Sequence, residues 1–557
     1  MRKYFLPVSI LAFFMLAMPI MAQKVYHVNI QSGNDANDGL RWSSAFKNIQ
    51  PAIDVAEKGD TVKIAQGTYL PTKKIADLYS LKAPYNIPTN DRHRSFLIKN
   101  DILLYGGFPA NANDATSMND RDRKKYETIL SGDFNSNDGA YDHSDELDYS
   151  EPIVNMEENA LHVVVMPVAT SKVLLDGFTI MGGNAALDSA DVYVDNVLIQ
   201  RNCGGGIYAI AKNESSPTLT NLIIRDNHAA GEGGGFYNYA QSGGASPRLT
   251  HVTLIRNFAG EQGGGFYNNG MDAEPILSNV QISCNQAQME GGGLICIAEN
   301  TASPILEDVL ISGNTGRTGG GASIVSLTEN VIPLITNATI CNNKATSNNK
   351  GGGLVITALT LASNPKIRNS VIWGNKSDKT DNLIVEGRTG ENPVFANCLI
   401  EGRASEGTNM GGDTDPMFIK PADTDFALTL YDFNNYRLLP ESPLINKGNN
   451  SFITLKDDLD GKTRICGGVV DIGAYEFQDD DSGNKVISNS NSIWSYRGAL
   501  YIKIEKNVAP IRIYSENGWL VRQVNNPDEG VYTIPSLPHG LYIVTLSTGE
   551  TAKILIH

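Results

Sequence analysis

The sequence predicts an all-β protein: a right-handed parallel β-helix solenoid with an N-terminal cap, followed by a small C-terminal β-sandwich. Glycine triplets recur at intervals of 29, 30, 28, 28 and 32 residues, which is the first sign of a repeat architecture. Short apolar runs with period-2 spacing lie between the triplets, and no stretch there has room for a long helix. One such repeat cannot bury its own apolar face, so stacked repeats must share a continuous core. The triplets begin at Gly204, Gly233, Gly263, Gly291, Gly319 and Gly351.

Each repeat contains a corner between two short strands. In the first repeat, the inward apolar residues Leu219, Leu222 and Ile224 are spaced by three and then by two, whereas a continuous strand would give two and two. The extra residue predicts a corner, and Asn suits it because Asn tolerates left-handed backbone. The corner residues are Asn221, His251, Asn279, Asp308, Asn337 and Asn369. The usual hand of parallel crossovers predicts a right-handed coil.

A second asparagine recurs after each corner. In stacked coils these side chains would form a ladder of amides along the solenoid axis. The predicted ladder residues are Asn227, Asn257, Asn285, Asn314, Asn343 and Asn375.

Composition narrows the class of protein. The 557 residues include 61 acids and 45 bases, giving a formal net charge of −16, which argues against a nucleic-acid partner. Residues 1–22 have a charged start and a short apolar run, as in an export signal peptide, and no later stretch predicts a transmembrane helix. The six cysteines show no metal-binding spacing, so most are expected to be small buried residues.

The solenoid is assigned to residues 23–477, with a cap at 23–72, glycine-triplet repeats at 204–375 and a terminal segment at 393–477. The cap resembles the start of secreted bacterial β-helix proteins of the pectate-lyase-like superfamily. That resemblance rests on Gly33, Asp35, Asn37, Gly39, Gly59, Asp60, Gly67, Thr68 and Tyr69. The triplet repeats resemble those of chlamydial polymorphic outer-membrane proteins, which are adhesins. The wider superfamily also includes polysaccharide lyases and hydrolases, so the resemblance implies a fold and not one activity.

The carboxyl-terminal part contains two further units. The terminal segment, with Asp415-Pro416 and Asp471-Ile472-Gly473, resembles the tail that ends many bacterial surface β-helices, and its polar residues are interpreted as cap turns and ion pairs. Residues 478–491 are predicted to be a linker. Residues 492–557 resemble the C-terminal sorting domain of type IX secretion cargo, on residues 510–514, 518–521 and 537–544. The resemblance implies export by the type IX machinery and attachment at the outer-membrane surface.

Four polar residues of the first repeats are candidates for catalysis: Arg225, Asp226, His228 and Arg256. A lyase acting on acidic sugars needs a base and often a cation that neutralises the substrate. The ladder alignment places Asp226 and Arg256 on adjacent coils, and an ion pair between the coils explains them without catalysis.

Tyr208, Tyr237 and Tyr267 are candidates for binding sugars, because exposed aromatic rings offer flat apolar contacts. Tyr237 and Tyr267 hold equivalent repeat positions and should stack in register. In the alternative interpretation, which the usual packing of aromatic rings favours, these rings shield the neighbouring coil.

Asp133, Asn135 and Asn137 resemble the start of a calcium-binding loop, although position twelve is Ser144. Asp142, Asp145 and Glu146 are alternative ligands, and a solvated acidic insertion is the other interpretation. Apart from this Ca²⁺, no cofactor is expected.

These patterns favour a secreted protein of the cell surface, an adhesin or a protein that binds polysaccharide or host matrix. The rival hypothesis is a polysaccharide lyase or glycoside hydrolase acting on an acidic polysaccharide. Its expected feature is a basic residue beside clustered carboxylates on one exposed sheet.

Overall fold

The computed structural model describes residues 23–74, 91–139 and 155–478, with gaps at 168, 187–191, 195–196, 212, 329–330, 348–350, 359–364, 378–381, 387–393 and 421–434. It also describes 486–556, with gaps at 489–490, 497–498, 505–509, 526–529, 535–536, 539 and 548–550. Within these residues the protein is nearly all β, and the predicted right-handed parallel β-helix is confirmed.

One face of the solenoid is a sheet that we call the flat sheet. Its strands pair in parallel and in register from coil to coil, apart from an antiparallel first pair. They are Lys73–Lys74, Arg94–Leu97, Val164–Met166, Ile207–Ala211, Phe236–Ala240, Phe266–Gly270, Leu294–Ala298, Ala322–Ser326, Leu354–Ala358 and Leu383–Glu386.

The opposite face is a larger sheet that turns at the corner residues, and we call it the bent sheet. The strands before the corner are Val25–Val28, Thr61–Ala65, Leu103–Phe108, Leu174–Asp176, Thr218–Thr220, Arg248–Thr250, Lys366–Arg368 and Val394–Ala396. The strands after it are Gly67–Tyr69, Thr128–Ser131, Thr179–Met181, Ile223–Arg225, Thr253–Ile255, Val371–Trp373 and Leu399–Ile400. Ile276–Ser283, Ile305–Ser312 and Leu334–Cys341 run through the corner without a break.

A third, narrow sheet closes each coil before the next triplet. It consists of Asn184–Ala185, His228–Ala229, Phe258–Ala259, Gln286–Ala287, Thr315–Gly316 and Lys344–Ala345. The inward side chains of the flat and bent sheets form one continuous core, in which Leu219, Leu222 and Ile224 are buried as predicted.

All six predicted corner residues have left-handed backbone, with φ between 46° and 56°. A second left-handed column precedes the ladder and was not predicted: it contains Asp226, Arg256, Cys284 and Asn342, with φ of 55°, 53°, 59° and 55°. Arg and Cys rarely adopt this conformation, so the coil geometry overrides the preference of the residue here.

The predicted asparagine ladder is present. Asn257 Nδ2 donates to Asn285 Oδ1 at 3.0 Å, and Asn285 Nδ2 donates to Asn314 Oδ1 at 3.0 Å. The same pattern joins Asn227 to Asn257, Asn314 to Asn343 and Asn343 to Asn375. Each buried amide therefore has partners above and below, which buried polar groups require.

The glycine triplets lie where neighbouring coils approach closely. A Cβ built on Gly264 would lie 2.2 Å from the carbonyl oxygen of Gln286 and 2.4 Å from that of Gly292. The repeat therefore needs glycine because no side chain fits between these backbones.

The cap contains one short α-helix and one 3-10 turn. The α-helix covers only Ile49–Val55, and Trp42–Ser44 forms a 3-10 turn. Further 3-10 turns cover Asp91–His93, Met118–Asp120 and Asn450–Phe452. The cap thus runs from the strand Val25–Val28 through a loop and the helix to the strand Thr61–Ala65.

The C-terminal unit is a sandwich of two antiparallel four-stranded sheets. One contains Val486–Ser488, Asn491–Tyr496, Ala499–Ile504 and Gly530–Ile534, and the other Ile511–Ser515, Leu520–Val524, Gly540–Thr545 and Thr551–Ile556. Residues of both sheets, such as Ile502 and Ile513, share a separate core. The first strand begins at Val486, inside the predicted linker.

Five cysteines are buried free thiols, and Cys466 is partly exposed. No helix among the described residues is long and apolar enough to cross a membrane.

Candidate functional site

The corner residues of successive coils form a column, which we call the corner column. Other parts of the chain cover it along most of its length and leave it open at two coils. Toward the amino terminus, Arg121 lies over Gly177, and a Cβ on Gly177 would be 2.1 Å from Arg121 Nη2. Toward the carboxyl terminus, the terminal segment covers the column from Asn279 onward, where Asn279 Nδ2 donates to the Asp458 carbonyl at 3.0 Å. Asn221 and His251 lie between these covers and line a groove of about 730 Å³.

The floor of the groove is the outer face of the bent sheet. Ile223, Thr253 and Gln281 occupy equivalent positions on neighbouring strands. Ile223 is 42% exposed, although it is a large apolar residue in the middle of a sheet. The floor therefore offers an apolar platform flanked by hydroxyl and amide groups.

The first wall is a cationic loop at residues 117–127, which contains Arg121, Arg123, Lys124 and Lys125. Arg121 anchors it: its Nη2 donates to Asp176 Oδ1 at 2.6 Å, and its guanidinium lies 5.3 Å from the centroid of the Tyr105 ring. Because Arg121 is held inside, Arg123 and Lys124 are the exposed cations that line the groove. The other end is fixed by Thr179 Oγ1, which donates to Glu127 Oε1 at 2.8 Å.

The second wall belongs to the terminal segment. Asp457, Leu459, Asp460 and Tyr475 line the groove there, together with Arg437. Arg437 forms an ion pair with Asp460 and lies over the Tyr475 ring, 4.6 Å from its centroid. This wall is therefore a packed structure with its own charge pairing.

His251 faces the groove between the two walls. Burial lowers the pKa of His251 below its ordinary value, and the nearby Arg123 lowers it further, whereas Asp457 and Asp176 act in the opposite direction. A lowered pKa leaves the imidazole neutral at physiological pH, able to accept a proton.

The four catalytic candidates do not form one site. Asp226 accepts hydrogen bonds from Arg256 Nε and Nη2 at 2.7 and 2.8 Å and from Arg225 Nη1 at 2.5 Å, so the predicted ion pair between coils is present and includes a second arginine. His228 lies beyond them, where its Nδ1 is 3.0 Å from Asn184 Oδ1 and its ring stacks on Phe258. Burial lowers the pKa of His228 to about 4.

The expectation that Tyr208, Tyr237 and Tyr267 are exposed is wrong. Their rings stack in register with centroids 4.8 and 5.1 Å apart, as the repeat predicted, but they are 0%, 4% and 6% exposed. An antiparallel hairpin of Val192–Val194 and Val197–Ile199 packs on them, and the Tyr208 hydroxyl donates to the Leu198 carbonyl at 3.2 Å. The shielding interpretation describes these residues, because no ring face is open to a sugar.

In the candidate calcium loop, the Asp133 side chain is held by hydrogen bonds from the backbone of the loop itself. The carboxylate of Asp133 accepts the backbone amides of Asn135, Asn137 and Asp138, at 3.1, 3.3 and 3.2 Å. Asp142, Asp145 and Glu146 lie outside the described residues. No group of three or more His, Cys, Asp or Glu side chains suited to a metal was found in the part of the chain that the structure describes.

Sequence reasoning missed the groove. One signal was available: four cations within five residues at 121–125 of an acidic chain, in the stretch between the cap and the repeats. The second wall had no comparable signal, since it depends on how the terminal segment folds back over the bent sheet.

No family model and no curated protein matches the sequence. The solved structures that are similar to the chain include a pectate lyase and XylC. Pectate lyase Pel9A has 12% sequence identity and a TM-score of 0.36, over 82% of this chain and 97% of that one. XylC in complex with xylose has 11% identity and a TM-score of 0.26, over 92% of this chain and 99% of that one. Similarity at this level says nothing about activity, and the strand pairing itself establishes the β-helix.

Proposed function

We propose that this chain is a secreted, surface-displayed protein that binds an anionic polysaccharide in the groove between the 117–127 loop and the terminal segment. The observation that carries the proposal is the pairing of an exposed apolar floor at Ile223 with the cationic side chains of Arg123 and Lys124, on a protein of net charge −16. Concave sites with an apolar base and a few charged groups are typical of ligand sites. A ligand with sugar rings and carboxylates or sulfates complements both features.

Binding can be measured by affinity electrophoresis in gels containing polygalacturonate, alginate or neutral dextran. We expect retardation by an anionic polymer, weakened by added salt because exposed charges are screened. Replacing both Arg123 and Lys124 by Ala should weaken binding roughly tenfold, about the effect of losing two exposed charge contacts. Arg41→Ala, at an exposed cation of the cap, is the matched control. Equal retardation of both variants and wild type would remove the groove as the site.

Delivery to the surface is proposed from the two ends of the chain. Residues 1–22 have the pattern of an export signal, and residues 492–557 resemble a type IX sorting domain. In a bacterium with type IX secretion, deletion of 492–557 should leave the protein in the periplasm. Surface labelling of the deleted form at wild-type levels would contradict this role.

A second candidate is a lyase that cleaves acidic polysaccharide by elimination. His251 favours it, since a neutral imidazole beside Arg123 is suited to take the proton next to a substrate carboxylate that the arginine binds. The test is ultraviolet absorbance of unsaturated uronate products from polygalacturonate and alginate. His251→Asn should abolish the product and retain binding, because Asn occupies this left-handed corner in neighbouring coils. No product from the wild type would leave binding as the function.

A further inference from the structure

A buried cluster of charges joins the terminal segment to the solenoid. Arg464 is 1% exposed, and its Nε lies 3.1 Å from Asp308 Oδ1, at a corner of the bent sheet. Its Nη1 lies 3.8 Å from Glu476 Oε2, and its Nη2 donates to the Gly473 carbonyl at 2.5 Å. Arg464 therefore connects the two parts of the chain in a place without solvent.

Three buried carboxylates of the terminal segment organise its fold around this arginine. Asp458 Oδ2 accepts the Glu476 amide at 2.9 Å, and Glu476 Oε2 accepts the Asp471 amide at 2.9 Å. Asp471 Oδ2 accepts the Phe477 amide at 2.6 Å. The same stretch docks on the solenoid through the Ala474 amide, which donates to Thr339 Oγ1 at 3.0 Å, and the Gly473 amide, which donates to the Asn369 carbonyl at 2.8 Å.

The cluster holds more acid than base. Four carboxyl groups face Arg464: Asp308, Asp458, Asp471 and Glu476. At the edge of the cluster, the charge of Glu307 adds to burial in raising the pKa of Asp308, and the charge of Asp460 does the same for the pKa of Asp458. Glu307 accepts hydrogen bonds from Thr454, and Asp460 is paired with Arg437. Four buried carboxyl groups therefore share one guanidinium.

Burial outweighs that guanidinium. It raises the pKa of Asp471 to about 6, of Asp308 to about 7 and of Glu476 to about 8, and it also raises the pKa of Asp458. In an undocked segment these groups would titrate near 4, the ordinary value. The docked state thus keeps protons that the undocked state releases above about pH 4, so docking is strongest below that pH and weakens as pH rises from about 4 to about 8.

The same stretch supplies the second wall of the groove, through Asp457, Leu459, Asp460 and Tyr475. We infer that residues 454–477 are a pH-responsive wall, which is docked over the bent sheet in mildly acidic surroundings and loosens in alkaline ones. This inference rests on the proposed function for its biological meaning, since it makes ligand binding in the groove dependent on pH.

Hydrogen–deuterium exchange of the full chain, expressed as protection factors, measures docking without any ligand. Between pH 6 and pH 8.5 the protection of amides 471–477 should fall, by up to about tenfold per pH unit for each carboxyl that is still protonated in the docked state, while amides of the flat sheet stay protected. Asp308→Asn should reduce this fall, because it removes one titrating group and Asn is the usual residue at this corner. Asp138→Asn is the matched control: burial also raises the pKa of Asp138 to about 7, but Asp138 lies away from the terminal segment.

Three results would overturn the inference: protection of 471–477 that does not change with pH, a fall that Asp308→Asn leaves unaltered, or an equal loss in the flat sheet. Affinity electrophoresis with polygalacturonate and alginate at both pH values, in a His251→Asn background that removes the imidazole titration, then tests the link to the groove. Tighter binding at pH 6 supports it, and binding independent of pH rejects it. Absence of binding together with a pH-dependent wall would reject the proposed function and retain the pH-dependent docking.

Discussion

Asparagine has two separate structural roles in the repeats. At the corner its backbone is left-handed, with φ of 56° at Asn221 and 53° at Asn279. In the ladder its side chain replaces hydrogen bonds that the turning backbone cannot make, and Asn285 Nδ2 also donates to the Leu254 and Ser283 carbonyls. A second, internal pair of asparagines was not predicted, because it involves only two coils: Asn238 Nδ2 donates to Asn268 Oδ1 at 2.8 Å.

The ladder predicts that removing a single amide side chain strongly lowers the free energy of unfolding. In Asn285→Ala, the backbone amide and the side-chain amide of Asn257 lose their acceptor. Asn314 Oδ1 loses its donor. Because these partners are buried, we expect a loss of about 3 kcal/mol in the free energy of unfolding. Thermal unfolding followed by circular dichroism measures it, with Asn111→Ala at an exposed loop as the control. A midpoint shift as small as that of the control would mean that water replaces the lost amide.

The groove histidine gives a second prediction at this scale. Since burial and Arg123 lower the pKa of His251, its NMR titration midpoint should lie below 6.5. Arg123→Ala should raise the midpoint toward that value, because the remaining neighbours Asp457 and Asp176 favour the protonated ring. Lys125→Ala, in the same loop, is the comparison variant. An unchanged midpoint in Arg123→Ala would show that Arg123 does not act on the ring.

At the scale of elements, the glycine triplet and the inserted loops have opposite roles. The triplet brings neighbouring coils into contact and repeats because every coil has the same backbone requirement. The 117–127 loop and the 192–199 hairpin each occur once and cover parts of the surface that the repeat leaves open. The loop creates the first wall of the groove, and the hairpin buries the tyrosine stack.

Alanine substitutions at two glycines test whether the glycine triplet is needed for close packing of the coils. Gly264→Ala places a Cβ 2.2 Å from the Gln286 carbonyl oxygen, so we expect destabilisation by more than about 3 kcal/mol, as for other overpacked sites. Gly244→Ala places its Cβ no closer than 3.7 Å to any atom, and should change stability by less than about 1 kcal/mol. Denaturant unfolding of both variants checks this, and similar midpoints would argue against a packing role for the triplet.

At the scale of the whole molecule, the solenoid and the sandwich have separate cores. The solenoid core runs from Tyr26 in the cap to Ile400, whereas the sandwich has its own core around Ile502 and Ile513. A small contact links them, in which Tyr501 packs with Ile419 and Leu439.

This arrangement predicts that the sandwich is dispensable for folding of the solenoid. Deletion of residues 478–557 should leave the main thermal transition within a few degrees of the full chain, because it leaves the solenoid core intact and removes the contact at Tyr501 and the hydrogen bond from Gln478 Nε2 to the Thr463 carbonyl. Differential scanning calorimetry measures both forms, with Tyr501→Ala in the full chain as a control for that contact. Loss of cooperative melting in the shortened protein would show that the solenoid depends on the sandwich.

The sequence by itself determined the coil. It specified the period, the corner at Asn221 and its equivalents, the amide ladder and the close contact between coils at the glycine triplets. These features can be predicted because every coil requires the same residue types at equivalent backbone positions. The pattern therefore recurs every 28 to 32 residues. It also brought Asp226 and Arg256 together, since they hold equivalent positions on adjacent coils.

The tertiary structure alone decided where the surface is open. The first wall of the groove includes Glu127 and the second wall includes Asp457. These residues are 330 positions apart in the chain, and neither belongs to the repeat. The tyrosines carry the pattern of an exposed stack, yet a hairpin covers them. Burial of an outward-facing residue depends on what folds over it, and that contact leaves no periodic trace in the sequence.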